Sequence, residues 1–391
     1  MTDPHVKKRL AILGSTGSIG RQCLDVARLH PELFEVVSLA CGSDIKTLED
    51  QVREFSPALA VVYDATAASD LKGRLADQPV KVLSGMEGLI EMASSPQIDI
   101  LVTGIVGMIG IEPTVAALEA GHDIALANKE TCVTAGHVIM PLAKEKGCRI
   151  LPVDSEHSAI FQALQGRADS RIRRLILTAS GGPFYEWPAE KLAAVTVKEA
   201  LAHPTWTMGP KITVDSASMV NKGLEVMEAR WLFDVDPSQI EVVIQRESLV
   251  HSAVEYEDGS IIAQMGPSDM RIPIQYALTW PDRLPSPATP LDFKTLAQIH
   301  FGQPRNDVFK GLPLAYDALK AGGSMPVVYN AANEWANRAF RQSRIGFTDI
   351  YRVIEEAMGS HSVVGDPSVG EILAIEKEIT HSLDEGWHKS F

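Results

Sequence analysis

Cysteine is scarce: four residues, Cys23, Cys41, Cys132 and Cys148, in a chain of 391. No two of them stand at Cys-x-x-Cys spacing, so neither a zinc site nor a dithiol redox motif is indicated. Long apolar runs are missing as well, and no stretch reads as a bilayer-spanning helix. Positive charge is in deficit. Lys and Arg total 36 against 50 Asp and Glu, the formal net charge is -14 and the pI is near 5.3. That balance argues against nonspecific nucleic-acid binding, although a few local cations can still draw an anionic small molecule into a cleft. The first ten residues are polar and carry Lys7, Lys8 and Arg9, and the apolar run behind them breaks at Gly14, so no leader is expected. Internal repeats and low-complexity tracts are absent too. A reduced, cytoplasmic protein with no nucleic-acid or membrane partner is the expectation.

The rest of the composition is that of a globular protein, 45% hydrophobic and 22% charged. The length suggests two or three domains. Short strand-like runs at 9–13, 34–40, 59–63, 80–83, 98–102, 122–127 and 149–153 alternate with helical patterns such as 45–55 and 112–120. Strands spaced by helices predict βαβ units and a parallel, doubly wound α/β sheet. Beyond Asp154 the texture changes. A strand is expected at 174–178. Next comes a long irregular stretch at 181–210, bearing Phe184, Tyr185, Trp187 and Trp206 and suited to a lid. A helix near 220–232 precedes a hairpin over 240–265 that turns at Asp258-Gly259. Proline-rich 281–290 reads as a linker, and 312 to the end as helical.

Three constellations carry chemistry. GSTGSIG at 14–20 follows the first strand and opens a helix. Its glycines let the backbone approach a pyrophosphate, and the free N–H groups of the helix start face the anion. The residue after the second strand commonly reports on the ribose. Here Gly42 and Ser43 leave room for a 2′-phosphate, while Asp44 favours a plain 2′-hydroxyl.

The second constellation is Asp154-Ser155-Glu156-His157. In an extended segment Asp154 and Glu156 would project to one side as two hard oxygen ligands, suited to Mg²⁺ or Mn²⁺. A helix N-cap explains the same residues equally well. The third is VDSASMVNKGLE at 214–225, where Ser216, Asn221 and Lys222 offer donors for a phosphate near a helix start. Glu225 shares a helix face with Asn221 and Lys222, and Glu228 lies one turn on, so spacing leaves the two glutamates unresolved. His203, in the long loop, is as easily structural as catalytic.

With ALANKE at 125, LPVDSEHSAIFQ at 151, LTASGGPF at 177, the stretch from His203 to Phe233 and NAANE at 330, these strings resemble the 1-deoxy-D-xylulose 5-phosphate reductoisomerase family over most of the chain. The resemblance implies a Rossmann-like NADPH-binding domain at 1–153. A central α+β catalytic and dimerisation domain at 154–280 would carry a flap at about 181–210. A linker at 281–311 and a C-terminal helical domain at 312–391 would follow. It implies a homodimer and a sugar phosphate substrate. Asp154, Glu156 and Glu225 would hold one divalent ion (Mg²⁺, Mn²⁺ or Co²⁺). Ser180, Ser216, Asn221 and Lys222 would take the substrate phosphate, with His203 closing over it. Lys129 and Ser155 would meet the hydroxyl end. Thr16, Gly17, Ser18, Ile19, Gly42, Asn128, Glu130 and Gly209 would touch NADPH, and Trp206 would cover the reacting region. The chain departs from the family where a basic residue and Asn often follow Gly42, having Ser43 and Asp44, and at Pro210 in the flap. Two other readings compete: a metal-free NAD(P) dehydrogenase acting on a semialdehyde or amino acid, and a nucleotide-sensing protein without turnover.

Overall fold

The structure, a computed structural model, describes residues 7–166, 171–294, 296 and 298–386. The expectations for the polar tip at 1–6 and the end of the helical tail at 387–391 lie outside the described residues. The chain forms two compact units. The first comprises Met1–Thr131, Val138–Ser158 and Asp269–Ala288, and the second comprises Cys132–His137, Ala159–Ser268 and Thr289–Phe391.

The first unit alternates strand and helix as its sequence requires: β1 (Lys8–Leu13), α1 (Ser18–Leu29), β2 (Phe34–Cys41), α2 (Ile45–Phe55), β3 (Leu59–Val62), α3 (Ala65–Arg74), β4 (Lys81–Ser84), α4 (Gly85–Ala93), β5 (Ile100–Thr103), α5 (Ile111–Glu119), β6 (Asp123–Leu126), both ends of α6 (Lys129–Lys146), β7 (Ile150–Pro152) and the start of α7 (Ser155–Ala163). The seven strands form one sheet in the order β4-β3-β2-β1-β5-β6-β7, every pair parallel. Helices cover both faces, so β3, β5 and the last four residues of β1 are buried throughout, which is why they read as unbroken apolar runs. The order reverses beside β1, between β2 and β5. In a doubly wound sheet the crevice outside the strand ends at that reversal is where ligands bind.

In the second unit, β8 (Ile172–Ala179), α8 (Val197–Ala200), α9 (Pro210–Ala217), α10 (Val220–Leu232), β9 (Ile240–Ile244), β10 (Val250–Tyr256) and β11 (Ile261–Met265) follow α7. The strands form a second sheet in the order β11-β10-β8-β9. The expected hairpin at Asp258-Gly259 joins β10 to β11, with Gly259 at φ 83° in the turn. β9, expected in the same antiparallel run, instead lies parallel to β8. A parallel pair needs a long crossover, and the segment carrying α8 to α10 supplies it.

The next helix, α11 (Arg271–Thr279), returns to the first unit. Lys8 Nζ there donates to the Leu278 carbonyl at 2.7 Å. α12 (Gly311–Ala321), α13 (Met325–Arg341), α14 (Asp349–Ser360) and α15 (Val369–Gly386) complete the second unit as a helical layer around buried Tyr329, Trp335, Phe340 and Phe347. The irregular 181–210 stretch is ordered in its first half. Phe184 packs edge-on against Trp187 and Phe347, and Arg305 donates to the carbonyls of Tyr185 and Trp187 at 2.8 and 2.7 Å. A capping box between Thr196 and Glu199 then starts α8.

Candidate active site

In the first unit the glycine turn folds back on the helix it opens. Gly14 sits at φ 76°, and a Cβ there would lie 2.5 Å from the Gly104 carbonyl oxygen. A Cβ on Gly20 would lie 2.3 Å from the Gly14 oxygen and 2.4 Å from Ser15 Cα. Gly17 occupies the N-cap of α1 without any side-chain cap, so the first-turn N–H groups stay open to an anion. Gly17 and Ser18 are exposed, and Thr16 and Ile19 partly so. Behind them Ser15 and Gln51 bond each other twice, at 2.7 and 2.9 Å, and fix the turn to α2. These are the demands of a pyrophosphate cradle.

Gly42 and Ser43 are exposed after β2. Asp44 caps α2 through the Thr47 N–H at 3.2 Å and lies 3.8 Å from the guanidinium of Arg21. Sequence reading missed Arg21; it follows the cradle on α1 and brings a cation to the loop that lacks one.

Asn128 caps α6 and spends its amide fully. It accepts from Thr131 N, and the two hydrogens of its Nδ2 are shared among the carbonyls of Ile105 and Gly107, both at 2.9 Å, and Glu130 at 3.1 Å. Next to it Lys129 forms an ion pair with Asp154 at 2.6 Å, both side chains largely buried. Asp154, Ser155 and Glu156 do not lie in an extended segment. Ser155 is the first residue of α7, Glu156 lies in its first turn, and Ser158 N–H bonds the Asp154 carbonyl. Helical pitch, not strand alternation, therefore sets the two carboxylates. The Ser155 hydroxyl donates to Glu156 at 2.5 Å.

In the second unit Ser180 follows the end of β8. Its Oγ lies 2.9 Å from His203 Nε2 and also accepts from Gly182 N–H at 3.2 Å. His203 Nδ1 accepts from the N–H of Thr205 and of Trp206, at 3.3 and 3.0 Å. In the neutral ring the proton is therefore on Nε2, which donates to Ser180 Oγ. Ser180 then has two donors pointing at its oxygen and its own hydrogen free to give to a ligand acceptor. Burial, with the Arg246 guanidinium adding to it, pushes the His203 imidazole down to about 4. Since the folded-state value lies below the unfolded one, the unfolded chain binds the extra proton between roughly pH 6.5 and 4. The contribution of neutral His203 is complete above that window and lost as pH falls through it. We expect the His203 ring resonances to stay unshifted from pH 8 to 5.5, and added inorganic phosphate to raise the midpoint; NMR titration measures both.

Gly181 and Gly182 both take positive φ. A Cβ on Gly182 would lie 2.9 Å from Ala217 Cα and 3.0 Å from the Ser216 oxygen, so this turn rests directly on the end of α9. Gly209 caps α9 at its other end, with Pro210 as first residue. Met219, at φ 61°, turns the chain sharply into α10. On that helix Asn221 Nδ2 donates to Glu225 Oε1 and Lys222 pairs with Glu225 Oε2, as their spacing predicts. Lys222 and Glu225 are buried, as is Glu228 one turn later. Trp206 tilts against His251 with ring centroids 6.0 Å apart.

Buried Asp215 was missed as a supporting residue. It receives Asn333 at 3.0 Å and Asn337 at 2.6 Å from α13, and pairs with Lys211 at 3.1 Å. Asn333 of the NAANE string thus supports α9. Asp215→Ala removes one carboxylate from largely buried Lys211, which keeps Glu334 at 2.8 Å, and takes an acceptor from the Asn333 and Asn337 amides; it should cost about 2 kcal/mol in urea unfolding.

A glycine turn with open helix N–H groups at the reversal point of a doubly wound sheet is the arrangement of a nucleotide-dependent oxidoreductase. Comparison with known proteins sharpens this. Residues 10–136 match the family described as 1-deoxy-D-xylulose 5-phosphate reductoisomerase, and residues 150–233 and 265–382 match its two C-terminal domains. The reductoisomerase of Agathobacter rectalis is 52% identical over 97% of this chain and all of its own length. Among solved structures, the reductoisomerase of Zymomonas mobilis in complex with NADPH is 38% identical, covers 99% of this chain and 100% of its own, and superposes with a TM-score of 0.92. A DOX-P reductoisomerase in complex with NADPH, fosmidomycin and magnesium is 40% identical over 97% of this chain and 98% of its own, with a TM-score of 0.93. The chain belongs to the 1-deoxy-D-xylulose 5-phosphate reductoisomerase family.

Proposed function

We propose that this enzyme rearranges and reduces 1-deoxy-D-xylulose 5-phosphate to 2-C-methyl-D-erythritol 4-phosphate in non-mevalonate isoprenoid synthesis, using NADPH and one divalent metal ion. The observation that carries this reading is the turn of α10 on which an amide, an ammonium and a carboxylate, from Asn221, Lys222 and Glu225, share one face. Asp154, Glu156 and Glu225 would hold the ion; three carboxylates form the hard donor set that Mg²⁺, Mn²⁺ or Co²⁺ accepts. When bound, the metal polarises the ketone and hydroxyl oxygens for the carbon–carbon rearrangement, and NADPH supplies the hydride for the reduction.

The chain's own residues do the rest. Ser180, Ser216, Asn221 and Lys222 bind the phosphate, Ser180 through its free hydroxyl hydrogen. His203 stays neutral while holding Ser180 in place. Lys129 and Ser155 orient the hydroxyl end of the substrate. Trp206 covers the reacting region and excludes water. Thr16, Gly17, Ser18, Ile19, Gly42, Asn128, Glu130 and Gly209 contact NADPH. This reading assigns cofactor binding to 1–153, catalysis and dimerisation to 154–280 with its flap at about 181–210, a linker to 281–311 and support to 312–391.

The test is NADPH oxidation with the proposed substrate, which should stop with chelator, return with Mg²⁺ or Mn²⁺, and run far slower with NADH. Turnover unaffected by chelator would leave the metal-free dehydrogenase in its place. Asp44→Asn keeps the cap on α2 but removes a negative charge beside the 2′-phosphate. It should tighten NADPH a few-fold in a fluorescence titration and leave NADH unchanged. The enzyme would act as a cytoplasmic homodimer. β11, an edge strand with Ile261 and Ile262 exposed, is a surface that a second copy could cover. No helix among the described residues is long and apolar enough to cross a membrane. Sedimentation equilibrium should return twice the 42.5 kDa chain mass.

A further inference from the structure

Parallel pairing of β8 and β9 sets Ala179 beside Ile244, and the Gln245 N–H continues the ladder to the Ala179 carbonyl at 2.8 Å. The two chains therefore leave the sheet side by side, one into Ser180-Gly181-Gly182 and the other into Arg246. Buried Gln245 locks the second exit, accepting from the N–H of Leu249 and Val250 at 2.7 and 3.3 Å. Arg246 is thereby aimed at its neighbour. Its Nη1 donates to the Ser180 carbonyl and to the Gly182 carbonyl, both at 2.7 Å. The guanidinium lies 5.5 Å from the centroid of the Tyr185 ring.

Packing on α9 and the Ser180 bonds to His203 and to the Gly182 N–H restrain one side of the turn, and Arg246 holds its carbonyls. Gly181 and Gly182 are both in the left-handed region, a conformation a short glycine pair leaves readily. The Ser180 hydroxyl, which must face a ligand, sits on that pair. Charge-assisted bonds to the Ser180 and Gly182 carbonyls, two residues apart, hold the turn in one shape.

We propose that Arg246 is a positioning residue for the substrate phosphate: it clamps the Ser180-Gly182 turn so that the Ser180 hydroxyl and His203 are preset before the ligand arrives. The inference rests on the phosphate assignment given above. It carries an electrostatic part too, because a fixed cation next to the turn favours a dianion and opposes protonation of His203.

The test compares Arg246→Met and Arg246→Lys with the parent full-length enzyme. Arg246→Met keeps the length and apolar stem but loses both bonds and the charge. It should raise KM for the sugar phosphate, and the inhibition constant of inorganic phosphate, by about 10- to 100-fold, equal to roughly 1.4 to 2.7 kcal/mol. The loss should fall on KM far more than on kcat. Arg246→Lys, which restores the charge and one donor, should recover part of it. The His203 midpoint, read by NMR, should rise in Arg246→Met and fall back in Arg246→Lys. A change confined to the melting temperature, with both constants and the His203 midpoint at parent values, overturns the clamp. Ser180→Ala separates the two layers of the argument. Raised constants there with none in Arg246→Met refute the clamp alone, and parent constants in both variants refute the phosphate assignment beneath it.

Discussion

Glu225→Gln lowers turnover by about a thousandfold or more and leaves NADPH affinity within about threefold of the parent. The charge is what matters, since glutamine matches glutamate in size and still bonds Asn221. A metal that stabilises developing charge supplies several kcal/mol, and each 1.36 kcal/mol is tenfold in rate. The side effect is local: Lys222, buried beside it, loses the charge of the Glu225 carboxylate. A melting curve detects that cost separately. Manganese titration followed by electron paramagnetic resonance reports the ion directly and should show binding weakened in step with turnover. Glu228 is the built-in rival, buried on the same helix one turn later. Should Glu228→Gln weaken Mn²⁺ binding while Glu225→Gln does not, the ligand moves along α10.

Gly20→Ala damages the other half of the chemistry. The added methyl would meet backbone, the Gly14 oxygen at 2.3 Å and Ser15 Cα at 2.4 Å, and neither can yield without opening the turn. The cradle N–H groups then lose their common focus. NADPH affinity should fall at least tenfold by calorimetry, while inorganic phosphate binding stays near the parent value. Gly73→Ala in α3 is the control, because nothing lies within 4 Å of its new methyl. It should gain up to about 1 kcal/mol from helix propensity. Equal losses of NADPH binding in both variants would remove the cradle as the explanation.

Much of the first unit was readable from one dimension. Parallel strands buried on both faces must be apolar runs, and glycine or aspartate bounds them, so β1, β2 and α2 fall within a residue or two of where the pattern puts them. The pattern failed to decide, leaving both readings open, where two local structures share a residue preference. Asp-Ser-Glu suits both a strand end and a helix cap, and α7 starts there. It failed again where pairing is remote: nothing near 240–244 tells that β9 joins β8 in parallel.

The site divides in the same way. Asn221, Lys222 and Glu225 were legible because a helix brings residues three and four apart together. Arg21, Asp215 and Arg246 were not, since their partners stand 23, 118 or 66 residues away along the chain. The His203 tautomer depends on two backbone N–H groups whose direction only folding sets.

The most direct measurement is ³¹P NMR of the product from substrate and NADPH with Mg²⁺ or Mn²⁺ present. The account predicts one new phosphomonoester, 2-C-methyl-D-erythritol 4-phosphate, formed mole for mole with NADPH consumed and absent when a chelator is added. An unrearranged reduced sugar phosphate, or product formation that ignores the chelator, would contradict it.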